Sequence, residues 1–310
     1  MDKNSGVWRR IAAATVSAVV ACVGLVVGAP AAASASPSIA SPATQRSQVA
    51  RVAPGLINAV VSCSAGKVAT GGGAAVVGEP AGEHHVSIKE SGPGSLGGKS
   101  VWLTSLLNGD IVAHQIRFYA VCIDPPVGYE TVVTSVSVPG NTVDSISAMC
   151  PASKRVIGGG VQVMAASGNP SAALLQESAP NLSDGIRWAV MVKNTAATPR
   201  TFLVTAVCAK TPAGYVDLSQ DLQVNPGSLG WGTLACPSGT RPLSGGARVT
   251  AGSTGDHKTV VAESAPYDVA LLQKGWVAAM RNNDSVARWF QRSVICVTAP
   301  LGYEITSVLA

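Results

Sequence analysis

Charge and aromatic rings are scarce in this chain of 310 residues. Asp, Glu, Lys and Arg together make up 13% and Phe, Tyr and Trp 5%, with only 3 Phe and 4 His. The few Lys and Arg form no cluster that could track phosphates, which argues against nucleic acid as a partner. There is no Gly-x-Ser-x-Gly, no His-Glu-x-x-His and no cysteine outside a regular pattern after residue 35, so the common hydrolase signatures are missing. A Ser-His-Asp triad built from residues distant in sequence would leave no such signature. No segment after residue 35 is apolar enough to cross a bilayer, and no stretch carries a convincing amphipathic-helix period. No cofactor and no metal are expected.

What the chain does have is a unit written three times, each copy with one pair of cysteines. The pairs are Cys63 and Cys122, Cys150 and Cys208, and Cys236 and Cys296, separated by 59, 58 and 60 residues. Six cysteines allow about 15 connectivities, and the repeat selects the one in which each copy bonds to itself. Closing a loop of this length stabilises a module by roughly 4 kcal/mol on the chain-entropy model. Disulfides of this kind belong in an oxidising compartment.

The N-terminal segment agrees with export. Lys3, Arg9 and Arg10 precede an apolar run from Ile11 to Ala29, and Ala33-Ser34-Ala35 offers the small residues of a cleavage site. Residues 1–35 therefore read as a signal peptide cleaved after Ala35, with an uncleaved membrane anchor as an alternative. Val19-Val20-Ala21-Cys22 also fits a lipobox, which would leave a lipid on Cys22, although the run stays apolar through Val27. Cleavage after Ala35 takes three of the 22 basic and one of the 17 acidic residues, leaving 19 and 16 and a formal charge near +3.

Residues 36–53, rich in Ser, Ala, Pro and Gln, read as a flexible linker. Pro54-Gly55, Pro139-Gly140 and Pro226-Gly227 are turn signals that open the modules. The expected modules are 54–138, 139–225 and 226–310. Within them hydrophobicity alternates with period two: Ile116, Phe118, Ala120 and Cys122 face one way, Arg117, Tyr119 and Val121 the other. Phe202, Val204, Ala206 and Cys208 repeat the first face, as do Phe290, Val294 and Cys296, with Arg292 as an exception. About six short strands per module are expected, the last of the first module at Glu130–Val138. The expected fold is all-β: three tandem disulfide-stapled antiparallel modules, sandwich-like and in close contact, or alternatively one pseudo-threefold β-prism.

The repeated marks are Cys-Pro, Gly-Gly-Gly, Glu-Ser-x-Pro, Trp, Asn and Ala-x-Cys, with Ser64 in the first copy where Pro151 and Pro237 stand in the others. This pattern, over residues 54–310, resembles modules of uncharacterised secreted actinobacterial proteins. The resemblance implies export from a high-GC Gram-positive cell and supplies no catalytic residues.

Candidate binding residues follow from the repeat. Gly71-Gly72-Gly73, Gly158-Gly159-Gly160 and Ser244-Gly245-Gly246 could form an anion nest, but without a following Lys-Ser/Thr they read better as places where strands approach closely. Glu90, Glu177 and Glu263 stand in register. They are either a repeated binding element or acceptors for backbone N–H groups of the Ser-x-Pro turn that follows. Trp102, Trp188 and Trp276 read as core packing near each disulfide, or as one sugar-stacking platform per module. Trp231 and Trp289 occur once each, so the fold does not require them, and they are candidates for exposed contact. Asn108, Asn194 and Asn282 open turns suited to left-handed geometry. Glu83-His84-His85 and Asp256-His257 read as solvated loops rather than a metal site, because adjacent side chains in extended backbone diverge.

Export, repetition, repeated aromatics and the missing catalytic signatures point to a secreted, non-enzymatic protein. Its expected role is binding to the cell surface or an extracellular polysaccharide, with avidity across modules. A self-associating coat protein and a hydrolase or hydrolase inhibitor with a site between modules are the alternatives.

Overall fold

The structure, a computed structural model, describes residues 53–78, 84–164, 170–250, 257–269 and 273–310. The readings placed on the signal segment, Cys22, nearly all of the 36–53 linker, Glu83 and Asp256 lie outside the described residues. The first repeat forms β1 (Gly55–Ser62), β2 (Val68–Val76), β3 (Val86–Leu96), β4 (Lys99–Asn108), β5 (Ile116–Ile123) and β6 (Glu130–Val138). The second forms β7 (Val143–Met149), β8 (Arg155–Val163), β9 (Ala173–Pro180), β10 (Arg187–Asn194), β11 (Arg200–Ala209) and β12 (Val216–Val224). The third forms β13 (Leu229–Ala235), β14 (Thr240–Val249), β15 (Thr259–Val269), β16 (Gln273–Asn282), β17 (Arg288–Thr298) and β18 (Glu304–Leu309). Among the described residues the one helical element is a 3-10 turn at Pro170–Ala172, and no helix is long and apolar enough to cross a membrane.

The chain is all-β and antiparallel, with the three expected disulfides. The strand order shows how the repeats sit together: no sheet belongs to one repeat. Sheet I runs β1-β4-β3-β8-β11-β6, sheet II β7-β10-β9-β14-β17-β12, and sheet III β13-β16-β15-β2-β5-β18. Each repeat keeps its first, third, fourth and sixth strands in one sheet and sends its second and fifth into the sheet of the preceding repeat. The identical order of all three sheets is a pseudo-threefold arrangement. One hydrophobic cluster draws Trp102, Phe118, Trp188, Phe202, Trp276 and Phe290 together from all three repeats.

Each disulfide ties two sheets. Cys63, just past β1 in sheet I, bonds Cys122 in sheet III. Cys150 joins sheet II to sheet I, and Cys236 joins sheet III to sheet II. The alternation read from the sequence holds in β5 as far as Ala120, with Phe118 and Ala120 fully buried and Arg117 exposed; Val121, expected on the outer face, is fully buried like Cys122. Arg292 takes the inward position of Phe118 and Val204. It fits because Gly232 on β13 leaves room for the guanidinium, which donates from Nη2 to Gln220 Oε1 at 2.5 Å. Burial lowers the Arg292 pKa.

Two bulges recur in every repeat. One leaves Thr70, Ile157 or Leu243 unpaired in the second strand, the other Lys89, Gln176 or Ala262 in the third. The first set turns inward, and its members are fully buried. There the Thr70 hydroxyl donates to the Leu243 carbonyl at 3.1 Å, and the Ser244 hydroxyl to the Ile157 carbonyl at 2.9 Å. Bulges bend a strand and increase its twist, so the repeated pair shapes three sheets to enclose one core.

Candidate functional site

The interior explains the repeated glycines, serines and tryptophans as one device. Ser91, Ser178 and Ser264 occupy the points where one repeat's third strand meets the next repeat's second strand. Each hydroxyl accepts an indole N–H: from Trp102 at 2.8 Å, Trp188 at 3.0 Å and Trp276 at 2.9 Å. The glycine run lies against these groups. A Cβ on Gly72, Gly159 or Gly245 would strike the indole ring, and one on Gly73, Gly160 or Gly246 would come within about 2 Å of the serine carbonyl. Gly73 also has φ of 141°, which L side chains rarely adopt. The glycines are thus close-approach positions, and the first glycine or Ser244 packs on a neighbouring bulge.

All three indoles are 2% exposed. The reading of Trp102, Trp188 and Trp276 as stacking platforms is corrected by this burial: no ligand reaches their faces without opening the core.

Glu90, Glu177 and Glu263 clasp neighbouring repeats. Glu90 accepts the Val163 amide N–H at 2.8 Å and the Ser105 hydroxyl at 2.5 Å. Glu177 accepts the Val249 amide N–H at 3.1 Å. The expected donors were backbone groups of the following Ser-x-Pro segment. That segment is strand, so the donors come from the next repeat. Glu263 departs from the pattern and pairs with His84 Nε2 at 2.6 Å.

The histidine expectation is corrected too. His84 and His257 are 2% and 1% exposed, buried because each lies over the preceding repeat's glutamate; His257 Nε2 is 3.5 Å from Glu177. His85 is exposed and pairs with Asp110, which also takes His114 Nε2 at 2.6 Å. Burial pushes Asp110 up, but hydrogen bonds from His85 and His114 outweigh it and hold the carboxyl below its ordinary value. Asn108, Asn194 and Asn282 do not adopt left-handed geometry. They hold their loops by side-chain bonds, such as Asn108 Nδ2 to the Val112 carbonyl at 2.9 Å.

The feature that breaks the threefold pattern is on the outer face of sheet III. A groove of about 230 Å³ is lined by Trp231, Tyr119 and Tyr267, with Ala75, Val277, Pro266 and Thr233 around them and Glu263 among its walls. Ala75, Ala265 and Val277 form a small apolar patch against which Tyr119 packs. Gly275 leaves space for the Tyr267 ring, since a Cβ there would sit 2.7 Å from it. Trp231 is 42% exposed. Burial raises the Tyr119 pKa, opposed by Arg117 and reinforced by the Glu263 charge.

The same three positions on the other sheets are polar or empty. Five residues before the first cysteine stand Asn58 and Ser145 instead of Trp231. Three residues before the second stand Thr205 and Ser293 instead of Tyr119, and three after the repeated serine stand Gly94 and Asn181 instead of Tyr267. A hollow of about 400 Å³ on sheet I shares Gly94 and Thr205 with these positions but includes neither Asn58 nor Glu90, and its other walls include Tyr129, Val133 and Leu203. Trp289, 47% exposed, stands opposite Gln223 of β12 on sheet II, away from the groove.

The structure therefore brings Trp231 and Glu263 together and separates them from Trp102, Trp188, Trp289, Glu90 and Glu177. Tyr119 and Tyr267 were missed as site residues. The signal that singled out Trp231, an aromatic present in one copy only, would have found both. No family model and no curated protein matches the chain.

Proposed function

We propose that the protein is an exported, non-catalytic binder of an extracellular or cell-surface glycan, taken up in the sheet III groove. The observation that carries this reading is the single-copy aromatic trio. Trp231, Tyr119 and Tyr267 stand where the same fold elsewhere uses Asn, Ser, Thr or Gly, so packing does not demand them. Flat aromatic walls around a small apolar floor, with few polar groups at the margin, suit the apolar face of a sugar ring. Three disulfides support an oxidising destination. Binding then rests on one groove per chain rather than on one platform per repeat.

The test is a pull-down of the oxidised mature chain, residues 36–310, with purified cell walls and insoluble polysaccharides. Retention should fall at least tenfold in Trp231→Ala and in Tyr267→Ala and stay unchanged in Trp289→Ala. Full recovery of the unaltered chain in the supernatant contradicts the reading.

A further inference from the structure

Resting on that reading, the geometry points to Glu263 as the polar recognition group of the groove, selecting neutral glycans over acidic ones. The three equivalent glutamates supply the comparison. Glu90 and Glu177 are bound to the backbone amides of Val163 and Val249. The equivalent amide near Glu263 belongs to Val76 and makes no bond to it. Instead His84 Nε2 holds Glu263 Oε1 at 2.6 Å. No bond from a described residue reaches Oε2, and the side chain, 4% exposed, lies at the wall of the groove. The glutamate released from its backbone partner is the one that lines the aromatic groove.

A carboxylate oxygen held in place by its sister atom and left without a protein donor is a ready acceptor. A sugar hydroxyl stacked between Trp231 and Tyr267 would donate to it, and hydrogen bonds to a charged acceptor are among the stronger ones. A uronic acid or phosphate-bearing glycan would instead bring a second negative charge beside a buried carboxylate, where repulsion is weakly screened. Of the nearby cations, Arg117 is turned to the Tyr119 hydroxyl on the exposed side of β5, and Arg281 is buried and bonded to the His84 carbonyl.

Isothermal titration of the disulfide-intact mature chain tests this, using soluble neutral polysaccharides (a mannan, a β-glucan and chitooligosaccharides) and a polyuronate of matched length. The unaltered chain should bind at least one neutral probe tenfold or more tightly than the polyuronate. Glu263→Gln should weaken neutral binding about tenfold and narrow or reverse the preference, with the thermal transition recorded alongside. A Glu263→Gln chain that folds and binds like the unaltered one overturns the inference, as does tighter binding of polyuronate by the unaltered chain. Either result leaves the groove intact as a glycan site if Trp231→Ala still abolishes binding. If no glycan binds the unaltered chain, the functional reading itself fails.

Discussion

Two sets of three aromatic rings differ in how they use the sheets: one ring on the inner face of each sheet, and three together on the outer face of sheet III. Inside, Trp102, Trp188 and Trp276 are related by the repeat, buried, and each bonded to a serine of its own repeat. Outside, Trp231, Tyr119 and Tyr267 come from different strands of sheet III and recur on neither other sheet. The pseudo-threefold fold is its own control. What appears three times serves the fold, and an exposed aromatic that appears once is not required by it.

The largest effect that would sharpen this contrast is on stability. Trp276→Ala should cost about 3–5 kcal/mol, as large core deletions do, because it empties a fully buried site and orphans the Ser264 hydroxyl. Trp231→Ala should change stability by no more than about 0.5 kcal/mol, the usual range for surface changes. Equilibrium denaturation of both variants compares them directly; equal losses would erase the distinction between the two triads.

A smaller effect tests whether every position that differs between repeats is functional. Lys89 differs from its equivalents Gln176 and Ala262, yet it is 3% exposed, and burial lowers its pKa to about 8. Its unfolded value is higher, so between about pH 8 and 10.5 the unfolded chain binds more protons and stability rises with pH. Lys89→Gln, which copies the second repeat, should stabilise the protein at pH 7 by up to about 3 kcal/mol and flatten that rise. Denaturation midpoints at pH 7 and pH 10 provide the check. A loss of stability on substitution would mean the lysine has a role in the fold.

Much of this was legible in the sequence because it is local. Cysteine spacing fixed the pairing, and period-two alternation in Ile116–Cys122 placed the inner face. Strand partners are not local: nothing in the alternation of β2 or β5 says that they leave the sheet holding the rest of their repeat. The same exchange hid the burial of His84 and His257, whose glutamates belong to the preceding repeat. The bulges at Thr70 and Lys89 also escaped notice, since an extra residue shows only against a partner strand. The Trp231 position was visible by comparing copies, and Tyr119 and Tyr267 would have been, had that comparison reached every outward position.

The most direct test of the outer site is fluorine NMR of the chain from residue 36 to 310, labelled with 5-fluorotryptophan. It carries five tryptophans, 102, 188, 231, 276 and 289. Titration with the neutral polysaccharide retained in the pull-down should move one resonance, the one missing from Trp231→Phe, and leave the other four in place. Movement of a core indole or of Trp289, with Trp231 unchanged, would contradict the assignment of binding to sheet III.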